Sequence, residues 1–320
     1  MLDEKLTNLV KSIAREVGFD RYGIARAEPI GRAEYVRAWL DSGRAGSMAY
    51  LHRHFEKRVD PGKLLPGARS VVVAALSYHQ PVPGPGLANP DLLGRVAMYA
   101  WGEDYHTVVK DKLFRIVDRL RTEVSEPFEA KVCVDTAPLI EREFAAAAGI
   151  GWIGKNTLVL DRQLGSYFFL GEIVTTLDLV EDEPVADRCG SCSACRDACP
   201  TNALDLPYQM DAARCISYLT IEHRGELSDE LARQTGNWIF GCDICEQVCP
   251  HNRRAARTRE PAFAGRAVAS GLPLDEILGW TVDDYRERLR GSTMKRATLE
   301  MLKRNARIAK VNAGCDEGTS

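Results

Sequence analysis

The chain has 320 residues, of which 45% are hydrophobic, and a formal net charge of −3 at pH 7. This length can bury sizeable cores in about two or three domains, and the mildly acidic balance excludes a globally basic nucleic-acid binder, so any such contact needs a local patch. Ten cysteines are too few for a secreted disulfide scaffold of this length, and in a reducing cytosol clustered cysteines indicate metal binding.

The N-terminal residues bear on the cellular location of the protein. Its first residues carry charges and no apolar core of a signal peptide, and no twin-arginine pair precedes an apolar stretch. No run approaches the roughly 18 apolar residues that a membrane helix needs. We therefore expect a soluble, cytoplasmic protein with no membrane contact.

Helix and strand patterns alternate along the first half of the chain. Residues 2–17 place apolar side chains on one helical face, and residues 70–76 form an apolar run typical of a buried strand. A Pro/Gly-rich loop over 81–90 breaks the chain. A helix is then predicted over 105–124 and a strand at 131–134.

An alanine-rich helix is predicted next, over 139–148, and it ends at a glycine turn over 149–151. Short strands are predicted at 159–160, 167–170 and 173–177. Because strands alternate with helices, the sequence predicts an α/β domain over 1–180.

The composition changes twice after this domain. An acidic segment at 181–184 is typical of a linker, cysteines dominate from 189 to 249, and a basic helical tail follows. We therefore expect three domains, at 1–180, 181–255 and 256–320.

Eight of the ten cysteines form two runs of the kind that holds iron–sulfur clusters. The first run has C-x2-C-x2-C-x3-C-P spacing, the second has C-x2-C-x3-C-P spacing, and one further cysteine stands between them. A [4Fe–4S] cubane needs four convergent thiolates, and in two-cluster ferredoxins the cysteine before the proline binds the other cluster. The predicted ligand sets are Cys189, Cys192, Cys195 and Cys249 for one cluster and Cys199, Cys215, Cys242 and Cys245 for the other.

The alternative for these cysteines is structural zinc held by paired C-x2-C units. Zinc requires neither the third cysteine of the first run nor the Cys-Pro that ends both runs, so the pattern favours two [4Fe–4S] clusters in an α+β ferredoxin-like module. The chain is therefore expected to be a redox protein. Cys133, in an apparent strand, and Cys315, in a polar tail, have no predicted role.

A glycine-rich segment comes close to two nucleotide-binding motifs. Gly149, Gly151 and Gly154 match the dinucleotide fingerprint, and the segment ending in Lys155 and Asn156 nearly matches a phosphate-binding loop. Both motifs need a strand before the glycines and a helix after them, whereas here the order is reversed. The segment is therefore better explained as a turn that joins a helix to a strand.

Several segments, spread in order over nearly the whole chain, resemble the epoxyqueuosine reductase family. They are RVDP at 58–61, YAWGEDYH at 99–106, DTAPLIER at 135–142, GWIGKNT at 151–157, the double cysteine run with CISYLT at 215–220 between its parts, MKR at 294–296 and LKRN at 302–305. The 135–142 segment joined to the clusters is the most specific part. Longer members continue into a fuller helical-repeat domain, so a short HEAT-like helical tail is expected here.

The resemblance implies a cobalamin-dependent enzyme that reduces epoxyqueuosine to queuosine at the wobble position of the tRNA anticodon, with loss of the epoxide oxygen as water. Cobalamin would lie between the α/β domain and the ferredoxin-like module, without a lower histidine ligand from a D-x-H-x-x-G box, which this sequence lacks. The clusters would pass electrons from an unidentified donor to cobalt, giving cob(I)alamin as the reductant. A monomer is expected.

By the same resemblance, six further residues are candidates to contact cobalamin. A role without cofactor contact is equally compatible with each of them; Arg58, for example, could be a solvated surface arginine. The six are Arg58, Lys155, Asn156, Ser217, Gly241 and Cys242.

The resemblance also implies that Asp135 lies at cobalamin and donates the proton that the opening epoxide needs. From the residues alone, an aspartate after a strand and before a Pro-containing helix start is a good N-cap. An acid that works near neutral pH needs a raised pKa, so a catalytic Asp135 is expected in a desolvated site.

Basic residues crowd the tail at helical spacing and predict a surface for the tRNA anticodon arm. A solvated basic helix face is the alternative. The candidates are Lys295, Arg296, Lys303, Arg304 and Arg307, with Lys310 beside them and Arg224 after the Cys215 segment.

Other functions remain open on the sequence. A reductive dehalogenase also couples cobalamin to two such clusters, but those enzymes are usually exported. An electron-carrier subunit would need neither cobalamin nor substrate, and would leave the large N-terminal domain unexplained. A corrinoid-handling protein without chemistry is a third alternative.

Overall fold

The computed structural model describes residues 3–82 and 92–314. Most of the predicted loop at 81–90, and Cys315, lie outside the described residues. The helices are α1 (Glu4–Val17), α2 (Ala33–Asp41), α3 (Phe55–Val59), α4 (Pro61–Leu64), α5 (Tyr105–Glu123), α6 (Glu141–Ala147), α7 (Ala194–Asp197), α8 (Ile216–Ile221), α9 (Asp229–Gln234), α10 (Ile244–Gln247), α11 (Leu274–Gly279), α12 (Val282–Arg288) and α13 (Leu299–Asn312). The strands are β1 (Arg21–Arg26), β2 (Ser70–Ser77), β3 (Leu93–Val96), β4 (Ala130–Cys133), β5 (Trp152–Ile153), β6 (Val159–Leu160), β7 (Phe168–Thr175), β8 (Trp238–Phe240) and β9 (Leu272–Pro273).

The main sheet has the order β1-β2-β7-β4, and each neighbouring pair is antiparallel. The sheet therefore departs from the predicted α/β class for residues 1–180, because α/β domains are built on mostly parallel strands, and the unit is α+β. Alternation of helices and strands along the chain does not by itself determine direction, because β7 enters the sheet between β2 and β4 and runs opposite to both.

Both faces of this sheet are covered, which explains the unbroken apolar run of β2. Val72 and its alternate neighbours pack with α1 and α5 on one face. Val71 and its alternates pack with Phe144 of α6 on the other. A strand buried on both sides needs apolar residues at every position.

β7 is one strand, where the sequence patterns predicted two separated at Gly171. Gly171 pairs with Ala74 inside the sheet. A Cβ there would lie 2.7 Å from Val109 and 2.8 Å from Leu113, both on α5. The glycine is therefore a point of close helix–sheet approach rather than a break.

A second sheet joins segments that are distant in sequence. β3 lies between β8, with which it is parallel, and β9, with which it is antiparallel. One strand thus comes from each of the three predicted domains, and α11 and α13 share a hydrophobic core with α1 and α5. The three segments pack as one body around a continuous core.

The predicted glycine turn lies between α6 and β5, and Gly149 has a φ of 68°. Its backbone geometry suits a helix C-terminus, as the turn interpretation expects. Among the described residues, no helix has the length and apolar content to cross a membrane.

Candidate functional site

The structure gathers the eight clustered cysteines into two groups of four neighbouring thiols. Burial raises the pKa of Cys195, and the nearby thiols of Cys249, Cys189 and Cys192 raise it further. These four residues are one of the two ligand sets that the sequence predicts.

The second group is more deeply buried. Burial raises the pKa of Cys242 to about 12, and the thiols of Cys215 and Cys199 add to the effect. Cys245 has Cys215 and Cys242 as its thiol neighbours. Metal binding would remove these protons, because cluster ligands are thiolates.

Within the part of the chain that the structure describes, no three Cys, His, Asp or Glu side chains converge closely enough to bind a single metal ion. Thiols that hold a cubane converge on a body of four irons and four sulfides rather than on one ion.

Lys155 fastens the first cysteine loop to the glycine turn. Its Nζ donates to the carbonyl oxygens of Gly190 and Cys192, at 2.5 and 2.8 Å. Asn156 beside it is buried, and its Nδ2 finds no acceptor among the described residues. An unpartnered buried donor is the kind of group that a bound cofactor can satisfy.

Asp135 lies directly after β4 and is not an N-cap, since Ile140 occupies the N-cap position of α6. Its φ is 49°, in the left-handed region. A left-handed non-glycine residue is strained, and such strain is concentrated at functional sites. The alternative N-cap role of Asp135 is therefore excluded.

His106, at the start of α5, connects two aspartates. Its Nε2 lies 3.1 Å from Asp135 Oδ2, and its Nδ1 lies 2.7 Å from Asp104 Oδ1. Burial lowers the pKa of His106, but the two carboxylates outweigh it and raise the value to about 9. His106 is therefore protonated near neutral pH and donates to both carboxylates.

The expectation that Asp135 has a raised pKa is wrong in this arrangement. Burial is the largest single effect and acts to raise the pKa, but the hydrogen bonds from His106 and Tyr105 and the charges of His106 and Arg142 together lower it further. The local proton is thus held on the imidazolium, and Asp135 is ionised beside it. The side chain is also 57% exposed, so the expected desolvated site is not found either.

A second carboxyl group reaches the same loop from α6. Glu141 Oε1 accepts a short hydrogen bond from the backbone N–H of Asp135. Burial raises the pKa of Glu141 to about 7, and the nearby Asp135 charge contributes. Behind Glu141, Glu172 of β7 is fully buried, and burial places its pKa well above the ordinary value.

Sequence patterns assign no role to His106, Glu141 or Glu172, although the first two lie in segments that carry the family resemblance. The available signal for Glu172 is its position as the one charged residue in the apolar strand FFLGEIVT. A charge on a strand buried on both faces requires a partner or a neutral form.

A cavity of about 160 Å³ opens beside these groups. Its wall combines polar and charged side chains with apolar residues of β6, β7 and the segments beside them. Its polar lining consists of Tyr78, Tyr105, Asp135, Glu141, Arg142 and Ser166.

Arg58 lies close enough to Asp135 for their charges to interact, and it is half-buried rather than a solvated surface residue. Its Nη2 donates to the carbonyl oxygen of Tyr50, at 3.1 Å. Burial lowers its pKa, while nearby Tyr50 and Asp135 act in the opposite direction. Arg58 and Asp135 thus share one electrostatic environment.

Ser217 and Gly241 meet at the buried hydroxyl of Thr220, and Cys242 follows Gly241 in the chain. Thr220 Oγ1 accepts from the Gly241 N–H at 3.0 Å and lies 3.3 Å from the Ser217 carbonyl. Tyr99 lies between this group of residues and Asp135. Burial raises its pKa, and so do the charges of Asp135 and of Asp243, which is next to Cys242. The second cysteine group and Asp135 therefore border the same region.

The basic tail presents part of the predicted patch to solvent. Lys295, Arg296, Arg307 and Arg224 are exposed, and Lys303 is partly exposed. Arg296 pairs with Glu222 through bonds of 2.7 and 3.0 Å.

Arg304 corrects the prediction of a uniformly exposed patch. It is only 5% exposed. Its guanidinium donates to the carbonyl oxygens of Leu219, His223 and Gly225 and to Asn305 Oδ1. Arg304 thus ties α13 to α8 and to the turn after it, and it is not available to a phosphate.

Two family models match the chain. Residues 58–136 match "Epoxyqueuosine reductase QueG, DUF1730", and residues 188–252 match a 4Fe-4S double cluster binding domain. Both matches include residues of the site described above.

Curated relatives align over nearly the full length. An epoxyqueuosine reductase of Leadbetterella byssophila is 41% identical over 303 residues, covering 94% of this chain and 97% of that protein. The epoxyqueuosine reductase of Pseudomonas aeruginosa is 40% identical over 315 residues, covering 97% of this chain and 86% of that protein.

Solved structures agree with these relatives. A crystal structure of epoxyqueuosine reductase with an epoxyqueuosine-modified stem loop of tRNA-Tyr superposes with a TM-score of 0.91 at 31% identity, covering 97% of this chain and 82% of that one. The Streptococcus thermophilus enzyme has a TM-score of 0.87 at 32% identity, covering 95% and 80%. A Bacillus subtilis structure, TM-score 0.90 at 30% identity over 97% and 82%, has its catalytic aspartate loop swung out of the active site.

Proposed function

This chain belongs to the epoxyqueuosine reductase family and is an oxidoreductase, and we propose that it reduces epoxyqueuosine in tRNA to queuosine, using two [4Fe–4S] clusters and cobalamin. The observation that carries the proposal is the position of Asp135. It is held in a strained conformation by His106, beside a cavity and near the second cysteine group.

The two groups of thiols would hold the two clusters. The more exposed group, which includes the exposed Cys192, would receive electrons from a donor outside the protein. The buried group, with Cys215 and Cys245, would pass them inward. A buried cluster between an entry point and the reaction site keeps water away from the electron path.

Cobalamin would lie between Asp135 and the second cysteine group. Arg58, Ser217 and the Gly241–Cys242 turn border it, and Asn156 offers a buried amide without a partner among the described residues. When bound, cobalamin would supply the strong reductant that opens the epoxide C–O bond. In contrast, Lys155 holds the first cysteine loop, so we assign it to cluster support.

His106 and Asp135 would supply the proton. Reduction of the epoxide consumes two electrons and two protons and releases the oxygen as water. As negative charge develops on that oxygen beside Asp135, it raises the pKa of the carboxyl. Asp135 then takes the proton from His106 Nε2 and delivers it to the oxygen, while Asp104 stabilises the imidazole. The second proton that water formation requires comes from solvent, which reaches the exposed Asp135 side chain.

The exposed basic residues of the tail would bind the anticodon arm. Lys295, Arg296, Lys303, Arg307 and Arg224 can contact phosphates, and the wobble base must leave the stack to reach the cavity. Phosphate contacts make binding weaken steeply with salt.

The test is anaerobic reconstitution with iron, sulfide and cobalamin, followed by metal analysis and an assay on a stem loop carrying epoxyqueuosine. About eight irons, as two [4Fe–4S] clusters require, with one tightly bound cobalamin and conversion to queuosine is the expected result. Eight irons without cobalamin, and no conversion, would favour an electron carrier instead. A reductive dehalogenase would bind cobalamin but leave the stem loop unchanged.

A further inference from the structure

Glu172 is a buried acid that the proposed reaction does not use. Its side chain is 0% exposed, and apart from the neighbouring carboxyl of Glu141 neither oxygen has a hydrogen-bond partner among the described residues, nor does any cation face the group. An ionised carboxylate in such a place would be very costly, so Glu172 carries its proton at neutral pH.

The polar group next to Glu172 is the carboxyl of Glu141. Each affects the other's ionisation, both by charge and by a side-chain hydrogen bond. The protonated Glu172 can therefore donate to Glu141 and leave Glu141 ionised. An ionised Glu141 is the stronger acceptor for the backbone N–H of Asp135, to which it is bonded.

We propose that Glu141 and Glu172 share one proton and form a latch that holds the Asp135 loop in its left-handed, reaction-ready conformation. They are positioning residues, since neither is required to touch the substrate. The importance of Asp135 to the reaction rests on the proposed function, but the latch itself is a property of the loop.

The strain at Asp135 makes a latch necessary. A left-handed aspartate costs free energy that the surrounding contacts must outweigh. On the side-chain end, His106 holds the carboxyl. On the backbone end, Glu141 holds the N–H, so that releasing Glu141 frees the loop to relax.

Loss of the shared proton should open the latch. Two ionised carboxylates side by side in a buried site repel each other, and the Glu141 side chain has a route toward solvent that Glu172 lacks. The other titratable or charged groups that face the pair are Asp135 on the loop, Arg142 on α6, Cys133 on β4 and Tyr105 on α5. His106 acts on the pair only through its bond to Asp135.

The experiment measures hydrogen exchange of the 134–137 segment in the cluster-reconstituted protein, with and without cobalamin, from pH 6 to 10. Rates are corrected for the intrinsic pH dependence of exchange. The variants are Glu141→Ala, which removes the acceptor, and Glu172→Gln, whose amide donates to Glu141 at every pH. The control is Glu143→Ala on the same helix, since Glu143 pairs with Arg32 instead.

We expect Glu141→Ala to speed exchange about tenfold or more at all pH values, because it removes a hydrogen bond to a charged acceptor. The unmodified protein should lose protection as pH rises through the raised pKa of the pair. Glu172→Gln should keep full protection across that range, and Glu143→Ala should follow the unmodified protein.

The variants should affect turnover as they affect hydrogen exchange. Glu141→Ala should lower kcat about 10²-fold with an unchanged KM for the stem loop, since misplacement of a reacting group has effects of this size. Glu172→Gln should keep kcat near pH 7 and lose the part of the alkaline decline that the Glu141–Glu172 pair causes, so that only the decline from His106, whose pKa is raised to about 9, is left.

Unchanged exchange in Glu141→Ala, or exchange in Glu172→Gln as fast as in Glu141→Ala, would overturn the latch. Exchange needs neither tRNA nor turnover. If the protein reduces no epoxyqueuosine at all, the proposed function fails while the exchange data still decide the latch.

Discussion

The cysteine region and the Asp135 site are built in opposite ways. Seven of the eight clustered cysteines lie in two short runs, 189–199 and 242–249, so the spacing within each run identifies the ligands, although each predicted cluster takes cysteines from both runs. The Asp135 site combines groups from α5, the loop after β4, α6 and β7, which are far apart in sequence. Its chemistry depends on packing rather than on spacing.

This difference explains which features the sequence reveals. A ligand set determined by local spacing is visible as a motif. A carboxyl group whose ionisation depends on distant neighbours is visible only as an isolated charge in an apolar strand. Substitutions in the two regions should therefore fail in different ways, by loss of metal in one and by loss of proton transfer in the other.

The largest expected effect is loss of the second cluster. Cys215→Ala removes one of four ligands of the buried group, so we expect iron content to fall by about half, from about eight atoms, and turnover to vanish. Iron analysis and the optical spectrum are the measurements. Cys133→Ala, which removes a buried cysteine outside both groups, should keep its full iron content.

Asp135→Asn should come next. The amide retains the shape but cannot transfer a proton, so we expect kcat to fall about 10²- to 10⁴-fold. Folding, iron content and cobalamin content should be unchanged. The measurement is a single-turnover assay on the modified stem loop, and normal turnover would remove Asp135 from the mechanism.

His106 predicts a pH dependence of stability. Its folded pKa, about 9, lies above the ordinary value of 6.5. Its stabilising effect should therefore be complete below pH 6.5 and be lost as pH rises through 9. Urea unfolding between about pH 6 and 10 should show this decline, and His106→Gln should flatten it. An identical slope in both proteins would contradict the ion pairs of His106.

The rate of turnover should also fall as pH rises through the pKa of His106, because a neutral His106 no longer carries the Nε2 proton that Asp135 takes. In His106→Gln we expect a smaller loss of kcat than in Asp135→Asn, since Asp135 can still take a proton from water. A larger loss of kcat in Asp135→Asn than in His106→Gln would identify Asp135 as the group that delivers the proton and His106 as the group that holds it beforehand.

The smallest effect on turnover is expected at the basic tail, where two neighbouring arginines differ. Arg307→Ala should weaken stem-loop binding and reduce the slope of log affinity against log salt by about 0.7 to 0.9 for each phosphate that the side chain neutralises. Its stability should be unchanged. Filter binding at several salt concentrations is the measurement, with Arg121→Ala on α5 as an exposed control.

Arg304→Ala should behave differently from Arg307→Ala. Loss of its buried hydrogen bonds leaves several carbonyl oxygens without donors, so we expect about 2–4 kcal/mol of destabilisation. Urea unfolding measures this loss. If Arg304→Ala does not change stability, the structural role of Arg304 is contradicted and the predicted role in binding tRNA is favoured.

Much of the local structure could be predicted from sequence. The strand at 70–76, the helix at 105–124 and the turn at Gly149 follow from short-range patterns, and each has a counterpart in the structure. The strand direction could not be predicted, because the pairing of β7 between β2 and β4 depends on contacts distant in the chain.

The sequence alone identified the cysteine ligands and the family, because both are recognised from residue identities at short, countable separations within each motif. Only the tertiary structure decided the protonation pattern around Asp135. The pKa values of His106, Asp135 and Glu141 depend on burial and on charges a few ångströms away, and neither quantity can be read from the order of residues along the chain.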